Sequence, residues 1–436
     1  LSFENQEWRT LELDALCTVT DCQHKTAPVV DYKTKFRMLR TTNIRYGRIN
    51  SDDARYVNEE TYEAWSVRGK LVEDDVILTR EAPMGEVGII KSSNEKFFLG
   101  QRMLQLKAKA DVIMPYFLYY SLLAPEVQNQ IKMHEGTGSV VSNIRIPALK
   151  KFKLKVPALE TQLSVTKLLR QIDDKIDLNN VINKNLEDMA QALFKRWFVD
   201  FELPNENGEP YKSNGGEFEE SELGLIPRGW KVGNFGDITV CFDSKRIPLS
   251  KQERESREKV YPYYGAASLM DYVDDYLFDG VYVLMGEDGS VIDESGFPVL
   301  QYVWGKFWVN NHAHVLKGDS SFSEEYIYLL LKRTNVRQIV TGAVQPKINQ
   351  KNMNSLKVII PPKNVLLLFN DIANELFKLI RNNFEQSNIL IKARDVLLPK
   401  LMSGEVRVPE EQEQSYSTQP FALSIAAESK AQYSNS

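Results

Sequence analysis

The chain has 436 residues, 43% hydrophobic and 26% charged, with a formal net charge of −5, which is the composition of a globular protein of two to four domains and excludes a disordered or fibrous chain. Its apolar runs are short, as in the five residues Val365–Phe369, far below the roughly 20 that cross a bilayer, so no membrane partner is expected. Three cysteines, Cys17, Cys22 and Cys241, make no disulfide framework; with no signal peptide at the start, and Leu1 in place of Met suggesting trimmed numbering, the expected location is cytoplasmic.

In chain order, residues 1–157 show short alternating apolar runs broken by Gly, Pro and Asn, such as Val76–Thr79, Phe97–Leu99 and Met103–Leu106. The pattern predicts a strand-rich domain with one helix near Pro115–Leu123. Residues 158–201 carry apolar side chains stepping by four and three: Leu169, Ile172, Ile176, Asn179, Asn183, Leu186, Leu193 and Trp197 lie on one such face. A sustained 3.5-residue period signals a long coiled-coil helix. Residues 202–222 are rich in Gly, Asn, Pro and Glu, which predicts an acidic linker with little to bury. The strand pattern returns over 223–361, and a second long helix is expected over 362–406, with Leu376, Ile380, Asn383, Ser387, Leu390 and Leu397 on its seam. Pro399 should end or kink it. Residues 407–436 are Ser/Glu/Gln-rich and read as a disordered tail.

The second half repeats the first. Gly138–Pro157 aligns without a gap on Gly342–Pro361 at an offset of 204, with five identities and a matching apolar phase that continues through both helices. Trp8 and Trp230 open the halves, and Phe97-Phe98-Leu99-Gly100-Gln101 resembles Phe307-Trp308-Val309-Asn310-Asn311. A repeat of this length is too long for a solenoid unit; it implies two related half-molecules about a pseudo-two-fold axis, suited to two halves of one target. The long helices would pair with each other, or alternatively each packs on its own domain. Antiparallel pairing about the centre would set Asn179 near Ser387 and Asn183 near Asn383, fixing register, unless the rods splay there and the amides are wet.

The net charge conceals its distribution. The −5 total becomes +4 once residues 201–222, at −6, and the tail from Glu405, at −3, are set aside. Asp31–Asn50 carries Lys33, Lys35, Arg37, Arg40, Arg45 and Arg48 against one acid. Basic residues interleaved with aromatics and amides suit double-stranded DNA, where Arg and Lys hold phosphates while Arg, Asn and Gln distinguish bases. Candidates in the first half are those six with Asn43, Arg80, Gln101 and Arg102. In the second half they are Lys245, Arg246, Tyr263, Tyr264, Asn311, His312, Gln345 and Lys347.

There is no Walker loop, no H-E-x-x-H and no G-x-S-x-G, so no catalytic residue is proposed. Gly85-Glu86-Val87-Gly88 and Gly286-Glu287-Asp288-Gly289 read as strand-connecting turns. Cys17, Cys22 and His24 have poor spacing and no fourth partner for zinc, so no metal is expected. His312 and His314 would share one strand face as polar surface or base contacts.

These features resemble the specificity (S) subunit of type I restriction–modification systems. The resemblance rests on the two-half architecture, Leu223-Gly224-Leu225-Ile226-Pro227-Arg228-Gly229-Trp230, Tyr263-Tyr264-Gly265-Ala266, Phe194-Lys195-Arg196-Trp197-Phe198 and Leu398-Pro399-Lys400-Leu401-Met402-Ser403-Gly404-Glu405. It implies an α+β fold in which two strand-rich target-recognition domains are separated by two long helices forming an antiparallel coiled coil. Each domain would take one half of an interrupted, asymmetric DNA sequence. Two modification subunits would carry S-adenosylmethionine and methylate a flipped adenine; restriction subunits would supply ATP- and Mg-dependent translocation and cleavage, leaving this chain without a cofactor. A methylation-only complex is the close variant, and a coiled-coil scaffold that does not bind DNA the distant one. The family's acidic-amide pair at the helix start is present only as Thr161-Gln162, with Val365-Leu366 in its place in the second copy.

Overall fold

The alternating runs of each half pair as strands, and they do so twice in the same order. In the computed structural model, which describes residues 8–133, 143–342 and 344–408, Cys17–Asp21, Met103–Ala108, Val76–Thr79 and Val87–Ile89 form an antiparallel sheet in that spatial order. In the second half Thr239–Cys241, Ala313–Gly318, Tyr282–Gly286 and Leu300–Val303 do the same. A parallel pair stands beside each sheet, Phe36–Leu39 with Lys96–Leu99 and Tyr261–Tyr264 with Lys306–Val309. The ladder Arg9–Glu12/Lys153–Val156 closes one domain and Lys231–Asn234/Lys357–Ile360 the other.

The first domain holds more helix than periodicity predicts. Pro115–Leu123 is followed directly by Pro125–Lys132, whose proline occupies the first turn, where its missing N–H costs nothing. Glu59–Trp65 is capped by Asn58, whose Oδ1 accepts from Thr61 N at 2.9 Å. Residues 202–222 also depart from expectation, because Tyr211 and Phe218, with Phe201 just before them, give the segment something to bury. Phe201 packs edge-on against Phe218 and Trp230, Tyr211 against Phe218, and Phe218–Ser221 pairs with Gly224–Pro227. The tail from residue 409 onward lies outside the described residues.

The long helices are Leu159–Phe198 and Lys363–Ser403. The second runs through Pro399, against expectation: Leu398, Leu401 and Met402 are buried in the first domain's core, which offsets a proline penalty of about 3 kcal/mol. Two compact units result, Leu1–Lys175 with Ile389–Ser436, and Ile176–Asn388. In the first unit, Val165 and Leu169 share a core with the two-layered domain and the end of the second helix. In the second, Ala190, Phe194, Trp197 and Phe198 meet Phe369, Ala373 and Phe377 over Trp230, Tyr326 and Leu329.

The helix segments run antiparallel. In the second unit Asn179, Asn183 and Phe194 ascend while their partners Ser387, Asn383 and Phe369 descend. Leu169, Ile176, Asn179 and Ser387 are buried, and Ile172, Asn183, Leu186, Leu193, Leu376, Ile380, Asn383, Leu390 and Leu397 are half-buried. Each helix also packs on its own domain, Val165 and Leu169 of the first in the first domain's core and Phe369 and Phe377 of the second in the second's, while Phe194 and Phe198 of the first helix lie in that second core. Both alternatives for the helix face therefore hold at once.

At the centre, Asn179 Nδ2 donates to Gln386 Oε1 (2.9 Å), Ser387 Oγ (3.2 Å) and Asn383 O (3.3 Å), and Asn383 Nδ2 donates to Asn183 Oδ1 (2.9 Å). Asn179→Ala is expected to cost roughly 1–3 kcal/mol, because it strips a buried donor from three acceptors. Chemical denaturation checks this; a change below about 0.5 kcal/mol would mean that the amide is replaced by water without loss.

Candidate nucleic-acid interface

Strand order places one loop of each domain at the same spot. Between the parallel-paired strand and the central strand of the sheet lies a two-residue tip, Gln101-Arg102 in the first domain and Asn311-His312 in the second. Its root is held identically: Gly100 N donates to Leu39 O (2.7 Å) and Asn310 N to Tyr264 O (3.1 Å). Its far side is held too, Arg80 N donating to Arg102 O and Glu287 N to His312 O, both at 2.8 Å. Arg80 and Glu287 are thus structural counterparts of opposite charge, and their neighbours Glu81 and Asp288 are counterparts of the same charge. Glu81 Oε2 lies 3.3 Å from Arg102 Nε, and Asp288 Oδ1 lies 2.5 Å from His312 Nδ1.

Some of the other candidates gather around these tips, and others are simply exposed. In the first domain the turn after Arg80 receives Thr41 Oγ1 on Ala82 O (3.0 Å) and Tyr46 N on Glu86 Oε2 (2.9 Å), which brings the 40–48 segment alongside. Gln101 Nε2 reaches Thr26 Oγ1 at 3.4 Å. In the second domain Asp288 bridges Lys347, whose Nζ lies 3.2 Å from Glu287 Oε1, with exposed Gln345 two residues away. Lys33 and Lys35 are exposed, as is Lys245, which stacks over Phe242.

Several candidates are removed from this surface. Arg37 is 4% exposed, and its guanidinium donates to Ser51 O, Asp52 O, Ala54 O, Tyr56 Oη and Glu95 Oε1. It holds a loop rather than a phosphate. Asn43 is buried and accepts from Arg40 N (2.8 Å), closing a short 3-10 turn. Tyr263 is buried, its Oη accepting from Leu249 N (3.0 Å), and Tyr264 packs edge-on against Phe307. Arg37, Asn43 and Tyr263 are buried and Tyr264 is half-buried, which residue type alone does not announce.

Three further cations are spent on internal acids. Arg80 pairs with Asp21 at 3.1 Å and donates to Ile144 O. Arg246 pairs with Glu287 at 2.7 Å and donates to Ala313 O, and Arg48 lies 3.7 Å from Asp173 of the long helix. Arg40 donates to Asp53 O and Arg45 to the Thr41 and Ile44 carbonyls, though both remain half-exposed.

Sequence reasoning misses the acids, because carboxylates repel DNA and a search for cations passes over them. The signal is the adjacent pair at the end of equivalent strands, Arg80-Glu81 and Glu287-Asp288. Two Gly-Glu stretches obscure it: Gly85–Gly88 closes its turn, whereas Gly286–Gly289 opens the turn after the matching strand.

His312 and His314 do not share a face, since the strand starts at Ala313. His314 is fully buried, its Nδ1 2.5 Å from Asp243 Oδ2 and its Nε2 2.8 Å from Ile348 O. Burial raises the Asp243 carboxyl, but His314, Val315 N–H and Arg246 outweigh it and hold it below its usual range. Cys241 closes a potential ligand group with Asp243 and His314, yet burial pushes its thiol up to about 12, and Arg246 already lies 3.4 Å from Asp243. Asp243, Arg246, Glu287 and His314 thus form one connected polar network. Asp21, Cys22 and His24 also converge, with His24 exposed, and Cys17 is buried elsewhere.

Gln162 is fully buried: its amide donates to Val112 O and Pro157 O and accepts from Met114 N. It clamps the helix start to the domain and leaves nothing for a partner subunit. At the matching position Leu366, buried, fills the space with carbon.

Two copies of one sheet-and-tip unit, each fused to a pair of helix segments, define a duplicated recognition protein with no assembled catalytic group among the described residues. The sequence profile of the Type I restriction modification DNA specificity domain matches residues 5–188 and 227–392, so the chain belongs to that family, whose specificity subunits are non-catalytic. It is 28% identical over 357 residues to the type I restriction enzyme MjaIX specificity subunit of Methanocaldococcus jannaschii, covering 77% of this chain and 78% of that one. Over 396 residues it is 21% identical to the HindI specificity subunit of Haemophilus influenzae, 74% and 84% being covered. The fold is that of the crystallised type I S subunit from M. genitalium, with TM-score 0.51 and 16% identity over 92% of this chain and 98% of that one. No helix among the described residues is long and apolar enough to cross a membrane.

Proposed function

We propose that this chain is the sequence-reading subunit of a type I restriction–modification complex, each strand-rich domain taking one half of an interrupted DNA target. The observation that carries this reading is the duplicated tip, held by the same backbone bonds in two domains but bearing different side chains. Identical scaffolds with different tips are what an asymmetric bipartite sequence requires. The exposed Lys33, Lys35, Lys245, Gln345 and Lys347 supply phosphate or edge contacts. The helices bind two modification subunits, and restriction subunits complete the assembly; S-adenosylmethionine, ATP and Mg belong to those partners. Mapping methylated adenines after the chain is expressed with its modification subunits tests the reading. The expected product is one interrupted motif with two dissimilar halves; methylation at a continuous site, or none, overturns it.

The same reading makes the helices a spacer. Inserting four residues after Asn180, paired with four after Phe384, adds about 6 Å of helix at 1.5 Å per residue and rotates the downstream part by about 40°. The two half-sites should stay the same while the gap between them lengthens by about one or two base pairs at 3.4 Å per step. Methylated sites with the original gap would show that helix length does not set spacing.

A further inference from the structure

We propose that Arg102 and His312 are the paired specificity-determining residues of the two domains, each preset for a base edge by a carboxylate, Glu81 and Asp288. The inference rests on the functional reading above and assigns it to atoms. Arg102 and His312 occupy the same place in the fold, their carbonyls fixed at 2.8 Å by the residues preceding those carboxylates. Both side chains stay about half exposed, at 51% and 48%, while Glu81 and Asp288 are 22% and 18% exposed. An acid beside a phosphate-binding cation would oppose the DNA backbone. An acid that aims a cation or ring at a base edge loses little by it, because the donor it orients is spared the cost of ordering on binding.

The atoms engaged say what remains for DNA. Glu81 contacts Arg102 through Nε, leaving the Nη1–Nη2 edge, whose parallel N–H donors match guanine O6 and N7. Asp288 holds His312 through Nδ1, leaving Nε2; in the neutral ring this nitrogen accepts, which suits the amino group of adenine or cytosine. Arg102 also sits at φ +68°, a region uncommon for side chains other than Gly, Asn and Asp and concentrated at functional positions. Its counterpart tip is braced differently, by Asn310 Oδ1 accepting from His312 N at 2.8 Å. Gln101 and Asn311, one residue earlier in each tip, place an amide beside each proposed reader.

The test is affinity selection of a randomised duplex library by the chain assembled with its modification subunits, with the salt dependence of binding measured alongside. Wild type should select an interrupted motif containing guanine in one half; failure to select any such motif defeats the functional reading itself. Arg102→Gly, which suits the φ of that position and so protects folding, should lower the preference for that guanine roughly 5- to 150-fold, the usual worth of a bidentate contact, and leave the other half-site unchanged. His312→Ala should do the same to one position of the other half only. Glu81→Gln should keep guanine preferred but by a smaller factor. The proposal is overturned if the variants select the wild-type motif, or if they weaken all sequences alike with a salt slope shallower by about 0.9, which is the behaviour of a phosphate contact.

Discussion

Exchanging residues 223–361 for the matching stretch of a family member with a different target is expected to replace one half of the methylated sequence completely and leave the other half intact. The boundaries follow from packing. Lys231–Asn234 pairs with Lys357–Ile360, so a cut before Ile360 would split this closing ladder between two parents. The donor must also present aromatics equivalent to Trp230 and Tyr326, which meet Phe198 and Phe369 at ring-centroid distances of 5.1–6.0 Å. Losing that cluster would remove side chains typically worth about 3–5 kcal/mol each on truncation. Mapping methylated adenines of the chimera reads the result, and a change in both halves would show that the domains are not independent readers.

Arg37→Met is expected to destabilise the first unit by roughly 3 kcal/mol while leaving the salt slope of DNA binding unchanged. Three carbonyls, at Ser51, Asp52 and Ala54, lose their donor. Glu95, about a third exposed, regains water and softens the loss. Denaturant unfolding gives the first quantity and a DNA titration of the folded variant the second. A folded variant of undiminished stability with a shallower slope would return Arg37 to the DNA-contacting set.

That residue shows where sequence reading reaches its limit. The repeat, the strand-rich halves, the long helices and the polar centre of the seam are legible because periodicity and offset are one-dimensional quantities. The pairing of Asn179 with Ser387 and of Asn183 with Asn383 comes from the same arithmetic. Burial at the site is not legible. Lys35 and Arg37 are two positions apart in a run of basic residues, yet one is exposed and the other is enclosed by a loop that returns from Ser51 to Tyr56. Equally hidden are Glu81 and Asp288, since their link to the tips runs through sheet order rather than through residue spacing. Pro399 shows the converse: a local rule for helix termination yields to the burial of Leu398, Leu401 and Met402.

The division of the chain into units has a consequence for synthesis. Residues 176–388 form one unit without interruption, whereas the other draws on the first 175 residues and on those from 389 onward. As the ribosome delivers the chain from its N-terminus, the second recognition domain can collapse around Phe194 and Phe369 soon after the second helix begins to emerge. The first domain, made earlier, must wait, with Val165 and Leu169 uncovered, for Leu398, Leu401 and Met402. The domain born first is thereby finished last, once the chain has been made as far as Met402 of the second helix.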